Sequence, residues 1–133
     1  MKIVINLSLF LVGLLIIGCD SKEKEIDNLK AETIQVHDEV MPKMDVIMNL
    51  KSSLKRKQDS IDTRESEKIQ ELINSLESSD KAMMNWMRNY DPRMEDMSDE
   101  EKIEYLTQQK ASIHEVSDEM KNSISEAEAY LNQ

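Results

Sequence analysis

The sequence predicts an all-α protein that folds as an antiparallel three-helix bundle in up-down-up order. Three observations lead to this prediction. From residue 19 onward the chain contains no glycine and only two prolines, Pro42 and Pro92. Apolar residues recur at three- and four-residue spacing over three long stretches, which is typical of one helix face. The alternating β-branched and aromatic pattern of strands is missing.

Residues 1–18 have the form of a cleaved lipoprotein signal peptide. Lys2 gives a positive start, an apolar run extends from Ile3 to Ile17, and LLIIGC has the form of a lipobox. The run is too short for a stable membrane span. Cys19 is the only cysteine and occupies the position that receives diacylglycerol, so we predict lipidation there. An ordinary secretory signal with a chance cysteine is the alternative.

A tether and the first helix are predicted next. Residues 19–24 form the lipidated cysteine and a charged tether, and the helical bundle occupies 25–133. The first helix runs from about 24 to 57, with Pro42 inside it. Because proline lacks an N–H and clashes with the preceding turn, we expect a kink or break there. The predicted core face of this helix consists of Ile26, Leu29, Val36, Val40, Met44, Ile47 and Leu54.

The second and third helices are predicted over about 63–90 and 99–131. The second ends before Pro92, since the residue before a proline avoids the helical region. Ser98 and Glu101 have the spacing of a capping box at the start of the third. Short links between long amphipathic helices favour an antiparallel bundle, with an open, partly extended coiled coil as the alternative. The predicted core positions are Ile69, Leu72, Ile73, Leu76, Met83, Met87 and Tyr90, then Ile103, Leu106, Ile113, Met120, Ile124, Ala127 and Leu131.

Charge and cysteine content restrict the partners. The formal net charge is −10, so the surface repels nucleic acid phosphates and anionic lipid headgroups. A single cysteine allows no intramolecular disulfide, and stability must come from packing. We therefore predict no nucleic-acid binding, and membrane attachment through acyl chains only.

Motifs of the common catalytic classes are missing. The sequence around His37 is HDEVM rather than HExxH, and there is no nucleophile elbow or glycine-rich phosphate loop. We therefore predict no enzymatic activity. A haem between His114 and Met44 or Met48 is a weaker alternative, since the chain is slender and has no CxxCH motif.

Soft ligands concentrate in two segments, HDEVMPKMDVIM at 37–48 and MMNWM at 83–87. In a hairpin that turns near residue 60, the two segments lie level with each other. Thioether and imidazole groups together suit Cu(I). The predicted metal ligands are His37, Met41, Met44, Met83, Met84 and Met87, with Trp86 close by. The favoured interpretation needs no cofactor, because methionine at helical spacing is more often core packing.

Four segments, LLIIGC, VHDEVMPKM, AMMNWMRNYDP and SDEEKIEYL, together resemble a group of small lipoproteins from Bacteroidota. These proteins have no established function and often carry the label "viral A-type inclusion protein". The resemblance covers nearly the whole chain after Cys19 and implies a lipid-anchored location at the outer membrane, on its periplasmic or surface face. DSKEKE is similar to tethers that send some of that phylum's lipoproteins to the surface, whereas Asp20 is the residue type that retains lipoproteins at the inner membrane elsewhere.

These observations predict a lipid-anchored, non-enzymatic helical-bundle protein of the bacterial cell envelope. We expect it to act as a protein-interaction or structural module, with a protein partner or a second copy of itself. The alternative is a soft-metal binder of the Cu(I) type that uses the histidine–methionine cluster.

Overall fold

The computed structural model describes the backbone of residues 17–61 and 63–133, and the side chains of 21–61 and 64–133. All regular structure in these ranges is helical. The helices are α1 (Ile17–Val40), α2 (Lys43–Gln58), α3 (Thr63–Asn89) and α4 (Asp99–Leu131). The predicted signal peptide lies almost entirely outside the described residues, and so does the side chain of Cys19.

Pro42 divides the predicted first helix into two. The sequence predicts one helix from about 24 to 57, whereas α1 ends at Val40 and α2 begins at Lys43. The amide of Met41 still donates to the carbonyl of His37 at 2.8 Å, but Pro42 has no amide to continue the ladder. Pro42 keeps helical angles, with φ −63° and ψ −19°, and serves as the N-cap of α2. The proline therefore breaks the hydrogen bonding at the position where the sequence predicts a kink or break.

The predicted tether lies inside α1. Residues 19–24 are helical rather than extended, because α1 begins at Ile17. Lysine and glutamate in this segment are good helix formers, and nothing between Cys19 and Val40 is a glycine or proline. Lys22 also forms an ion pair with Glu100 at the start of α4. A cross-helix partner thus extends the bundle into the segment that the sequence assigns to a tether.

A capping box starts α4, as the sequence predicts. The amide of Ser98 donates to the carboxylate of Glu101 at 2.7 Å, and the amide of Glu101 donates to the Ser98 hydroxyl at 3.4 Å. These two bonds occupy donors that the first helical turn would otherwise leave unpaired. The hydrogen bond to Ser98 lowers the pKa of the Glu101 carboxyl.

Cross-helix contacts fix the register of the helices. Between α1 and α4 the ion pairs follow the same order along both chains, Lys22–Glu100, Glu32–Lys110 and Glu39–Lys121. Between α2 and α3 the order is opposite, since Lys51 pairs with Glu77 and Gln58 bonds to Ser66. Between α3 and α4 it is also opposite, as shown by Ser79–Ser123 and Glu65–Tyr130. The helices thus pack on one another along their lengths.

One continuous apolar core joins α1, α2, α3 and α4. The buried cluster consists of Val40, Ile47, Leu54, Ile69, Leu72, Ile73, Leu76, Met83, Trp86, Ile113, Val116, Met120, Ile124 and Ala127. Most of these positions belong to the predicted faces. The sequence reasoning missed Val116, and it missed a buried polar contact in which the Ser79 and Ser123 hydroxyls lie 2.9 Å apart. Small serine side chains at this level let α3 and α4 approach closely.

Candidate functional site

The predicted soft-ligand segments meet beside the Pro42 break. His37 lies in the last turn of α1, and Met41 lies in the break between α1 and α2. Met44 lies in the first turn of α2, and residues 83–87 lie near the end of α3. The amide of Met44 donates to the carbonyl of Met41 at 3.2 Å, so the break is a tight turn. The two segments therefore share one region of the surface.

His37 stacks on Trp86. Their ring centroids lie 5.6 Å apart with an interplanar angle of 28°. The Nδ1 atom of His37 lies 2.9 Å from a carboxylate oxygen of Asp38, which holds the ring. The imidazole thus contacts α3 at the level that the hairpin register predicts.

The stack continues as a row of aromatic rings. Trp86 stacks on Tyr90 at 4.9 Å and 18°, and Tyr90 on Tyr105 at 6.3 Å and 22°. The backbone amide of Asp91 donates to the Tyr105 hydroxyl at 2.6 Å. The indole N–H of Trp86 and the hydroxyl of Tyr90 are buried and have no hydrogen-bond partner among the described residues. Burial also raises the pKa of Tyr90. This row ties α1 and α3 to the start of α4.

Among the described methionines three are buried, three are exposed and three are intermediate. Met83 and Met120 are fully buried, and Met94 is nearly so. In contrast, Met41 is 38% exposed, Met48 54% and Met84 43%. Core packing accounts for the first group, as the favoured interpretation of the sequence has it. It does not account for the second group.

The exposed methionines line a single open groove of about 620 Å³ between α2, α3 and the break. We call it the methionine groove. Its lining consists of Met41, Pro42, Met44, Asp45, Met48, Asp80 and Met84. Each helix contributes at least one thioether and a carboxylate about one turn away, since Asp45 precedes Met48 on α2 and Asp80 precedes Met84 on α3. The lining offers soft sulfur atoms and apolar surface, with two negative charges.

The structure thus brings together only part of the predicted ligand set. Met41, Met44 and Met84 line the methionine groove, and Met48, which the sequence pattern includes but the predicted set does not, joins them. Met83 and Met87 pack into or against the core instead, and His37 is not part of the groove lining. Adjacent residues on a helix differ by about 100° in direction, so Met83 and Met84 cannot face the same surface. The phase of α3 could have been read from Leu72, Leu76 and Met83, which share its buried face.

The described residues hold neither a cluster of hard metal ligands nor a membrane-spanning helix. They contain no group of three or more histidine, cysteine, aspartate or glutamate side chains arranged to hold a metal ion. This finding does not cover methionine, because its thioether sulfur is not among those ligand types. None of the helices in the described ranges combines the length and apolar character needed to cross a membrane. His114, the predicted haem alternative, is exposed on α4.

Comparisons with protein-family models, with curated proteins and with solved structures find no match for this chain. The candidate site therefore has to be interpreted from its own geometry.

Proposed function

We propose that this chain is a lipid-anchored, non-enzymatic interaction module of the bacterial cell envelope, folded as an up-down-up three-helix bundle. Support for the topology comes from the order of the cross-helix contacts. Ion pairs run in the same order along α1 and α4, and hydrogen bonds run in opposite order along α3 and α4. Support for the anchor comes from the lipobox sequence that ends in Cys19.

The methionine groove is the observation that carries the interaction role. Exposed apolar side chains clustered in one concave surface are typical of binding sites. Methionine is flexible and polarisable, so a methionine-lined surface can adapt to a partner's side chains. Three of the four exposed large hydrophobic residues among the described side chains lie in this groove, and the fourth is Val46.

Charge defines the partner that fits the groove. Asp45 and Asp80 lie in its lining, and neither carboxylate has a salt-bridge partner among the described residues. The chain as a whole carries −10. We therefore propose that the groove receives a protein segment with apolar side chains flanked by lysine or arginine. A second copy of this chain fits less well, because two acidic grooves would repel each other.

The position of the anchor suits this role. Cys19 precedes Met41 by 22 residues in a helix, which at about 1.5 Å per residue separates them by roughly 33 Å. A rigid helix of this length would hold the groove away from the lipid headgroups. The groove would then be accessible to a partner while acyl chains on Cys19 hold the protein at the membrane.

Site-specific photo-crosslinking in intact cells tests the proposal. A photoreactive amino acid at Met48 should give a repeatable crosslink to one protein, in a segment that carries apolar and basic side chains. The same amino acid at Val46 is the matched control, because Val46 lies on the same helix, is 37% exposed and is not in the groove lining. Equal crosslinking from both positions, or none from Met48, would reject the docking role.

A further inference from the structure

The second property of the methionine groove is its sulfur content. Four thioethers line one cavity, and they come from the break, from α2 and from α3. Met41, Met44 and Met48 are separated by three and four residues, which places them on one stripe. Met84 stands across from them on α3. Methionine side chains from distant parts of the sequence thus line the same groove.

Three of the four groove methionines are exposed, and Met44 is partly buried against the core. Met48 and Met84 are the most exposed of the four groove methionines, at 54% and 43%. A flexible thioether at an open surface can turn toward an ion without breaking core contacts. By comparison, Met83 has no exposed surface and cannot bind an ion without disrupting the core.

We propose that the methionine groove is a binding site for one soft monovalent cation of the Cu(I) class. The ligands are the thioether sulfurs of Met41, Met44, Met48 and Met84. Uncharged sulfur ligands favour soft ions over hard ions such as Mg²⁺ and Ca²⁺. The carboxylates of Asp45 and Asp80 balance the charge of the ion from the rim.

This assignment revises the ligand set that the sequence predicts. His37 is stacked on Trp86 and bonded to Asp38, and it does not line the groove. Met83 is buried in the core, and neither Met83 nor Met87 lines the groove. Sulfur alone therefore forms the site, and the imidazole is not a ligand. The proposal uses the same groove as protein docking but a different property of it, because docking needs apolar surface and the ion needs sulfur.

Silver(I) is the probe, since it has the soft character of Cu(I) without its redox chemistry. The experiment uses the full chain in mild detergent with Cys19→Ser, because a free thiol would itself bind Ag(I). Methionine methyl groups are labelled with ¹³C and followed by NMR during the titration. We expect the methyl signals of the four groove methionines to shift together and to stop shifting at one Ag(I) per chain. The signals of Met94 and Met120 should stay in place.

Leucine variants separate the two uses of the groove. Methionine-to-leucine changes keep apolar volume and cost little stability. The variant Met41→Leu/Met48→Leu/Met84→Leu should lose saturable Ag(I) binding, and its far-UV circular dichroism should stay unchanged. Docking should persist in this variant, as measured by a crosslink from a photoreactive amino acid placed at the groove residue Pro42. Met48→Leu alone should weaken binding, and this single change at a half-exposed position leaves the fold intact.

Three results would overturn the metal site. The first is stoichiometric Ag(I) binding that survives in the triple leucine variant. The second is a titration without saturation, in which buried and exposed methionine signals shift alike. The third is loss of binding in His37→Ala, which would restore the histidine-containing set. None of these results affects the docking proposal, which is rejected only by the crosslinking comparison.

Discussion

Met83 and Met84 are adjacent in sequence and have opposite environments. The same substitution at each position therefore tests which face of α3 is packed against the core. Met83→Ala removes three heavy atoms from a side chain with no exposed surface. At about 0.8 kcal/mol per buried methylene equivalent, the transfer loss is about 2.4 kcal/mol. The cavity left in the core raises this toward about 3 kcal/mol, within the usual range of about 2–5 kcal/mol for such changes.

Met84→Ala should lower the free energy of unfolding much less than Met83→Ala does. Its side chain is 43% exposed, so little more than half of the transfer loss applies, which is about 1.4 kcal/mol. No cavity term is added, because the methionine groove is open to solvent. The expected difference of about 1.6 kcal/mol is a substantial part of the stability of a small domain, which is typically about 5–15 kcal/mol.

Urea unfolding of the two variants, followed by far-UV circular dichroism, measures this difference. With a slope of about 2 kcal/mol per molar urea, Met83→Ala should lower the midpoint by about 1.5 M and Met84→Ala by about 0.7 M. The dependence of the unfolding free energy on urea concentration should be the same in both variants as in the unmodified protein. Equal midpoints for the two variants, or a lower midpoint for Met84→Ala, would show that the phase of α3 and the groove built on it are wrong.

Three further predictions follow from the α1–α4 contact, the helix break and the anchor. Lys121 donates a hydrogen bond to Glu39 at 2.9 Å and lowers the pKa of that carboxyl below 4.5. The contact therefore stabilises the fold above pH 4.5, and this stabilisation is lost as the pH falls through the folded-state pKa of Glu39. In Lys121→Met, urea midpoints measured from about pH 3 to 7 should fall less steeply toward low pH than in the unmodified protein. Pro42→Ala should change the unfolding free energy by less than about 1 kcal/mol, since Pro42 already has helical angles, and a larger change in urea titrations would contradict this. Cys19→Ala should abolish incorporation of an alkyne-labelled fatty acid in cells, and retained label would contradict lipidation at that residue.

Features encoded by short-range contacts could be predicted from the sequence. The capping box at Ser98 and Glu101 needs only three residues of spacing, and it is present. Val40, Ile47 and Leu54 recur at intervals of seven and are all fully buried. In both cases the local helix geometry determines the outcome, because side chains at these spacings share one face.

Features that depend on the partner helix could not be predicted. The helical periodicity already places Met83 on the core face, and Met83 is buried, but it does not indicate that Met84 meets the methionines of α2 in one groove. The same holds for residues 19–24, where the ion pair between Lys22 and Glu100 joins the predicted tether to α4. Ser79 and Ser123 pair across 44 residues, and no pattern within either helix indicates that contact.

The exposed methionines are not explained by folding. A polar side chain at the position of Met48, which is 54% exposed, would fit the helix and leave stability within about 0.5 kcal/mol. We therefore expect Met48→Gln to unfold at nearly the same urea concentration as the unmodified protein. The same variant removes a sulfur ligand and part of the apolar wall, so Ag(I) affinity should fall and docking should weaken. A methionine that costs nothing to replace in the fold but is needed for binding is a functional residue, whereas a large loss of stability in Met48→Gln would make it a structural one.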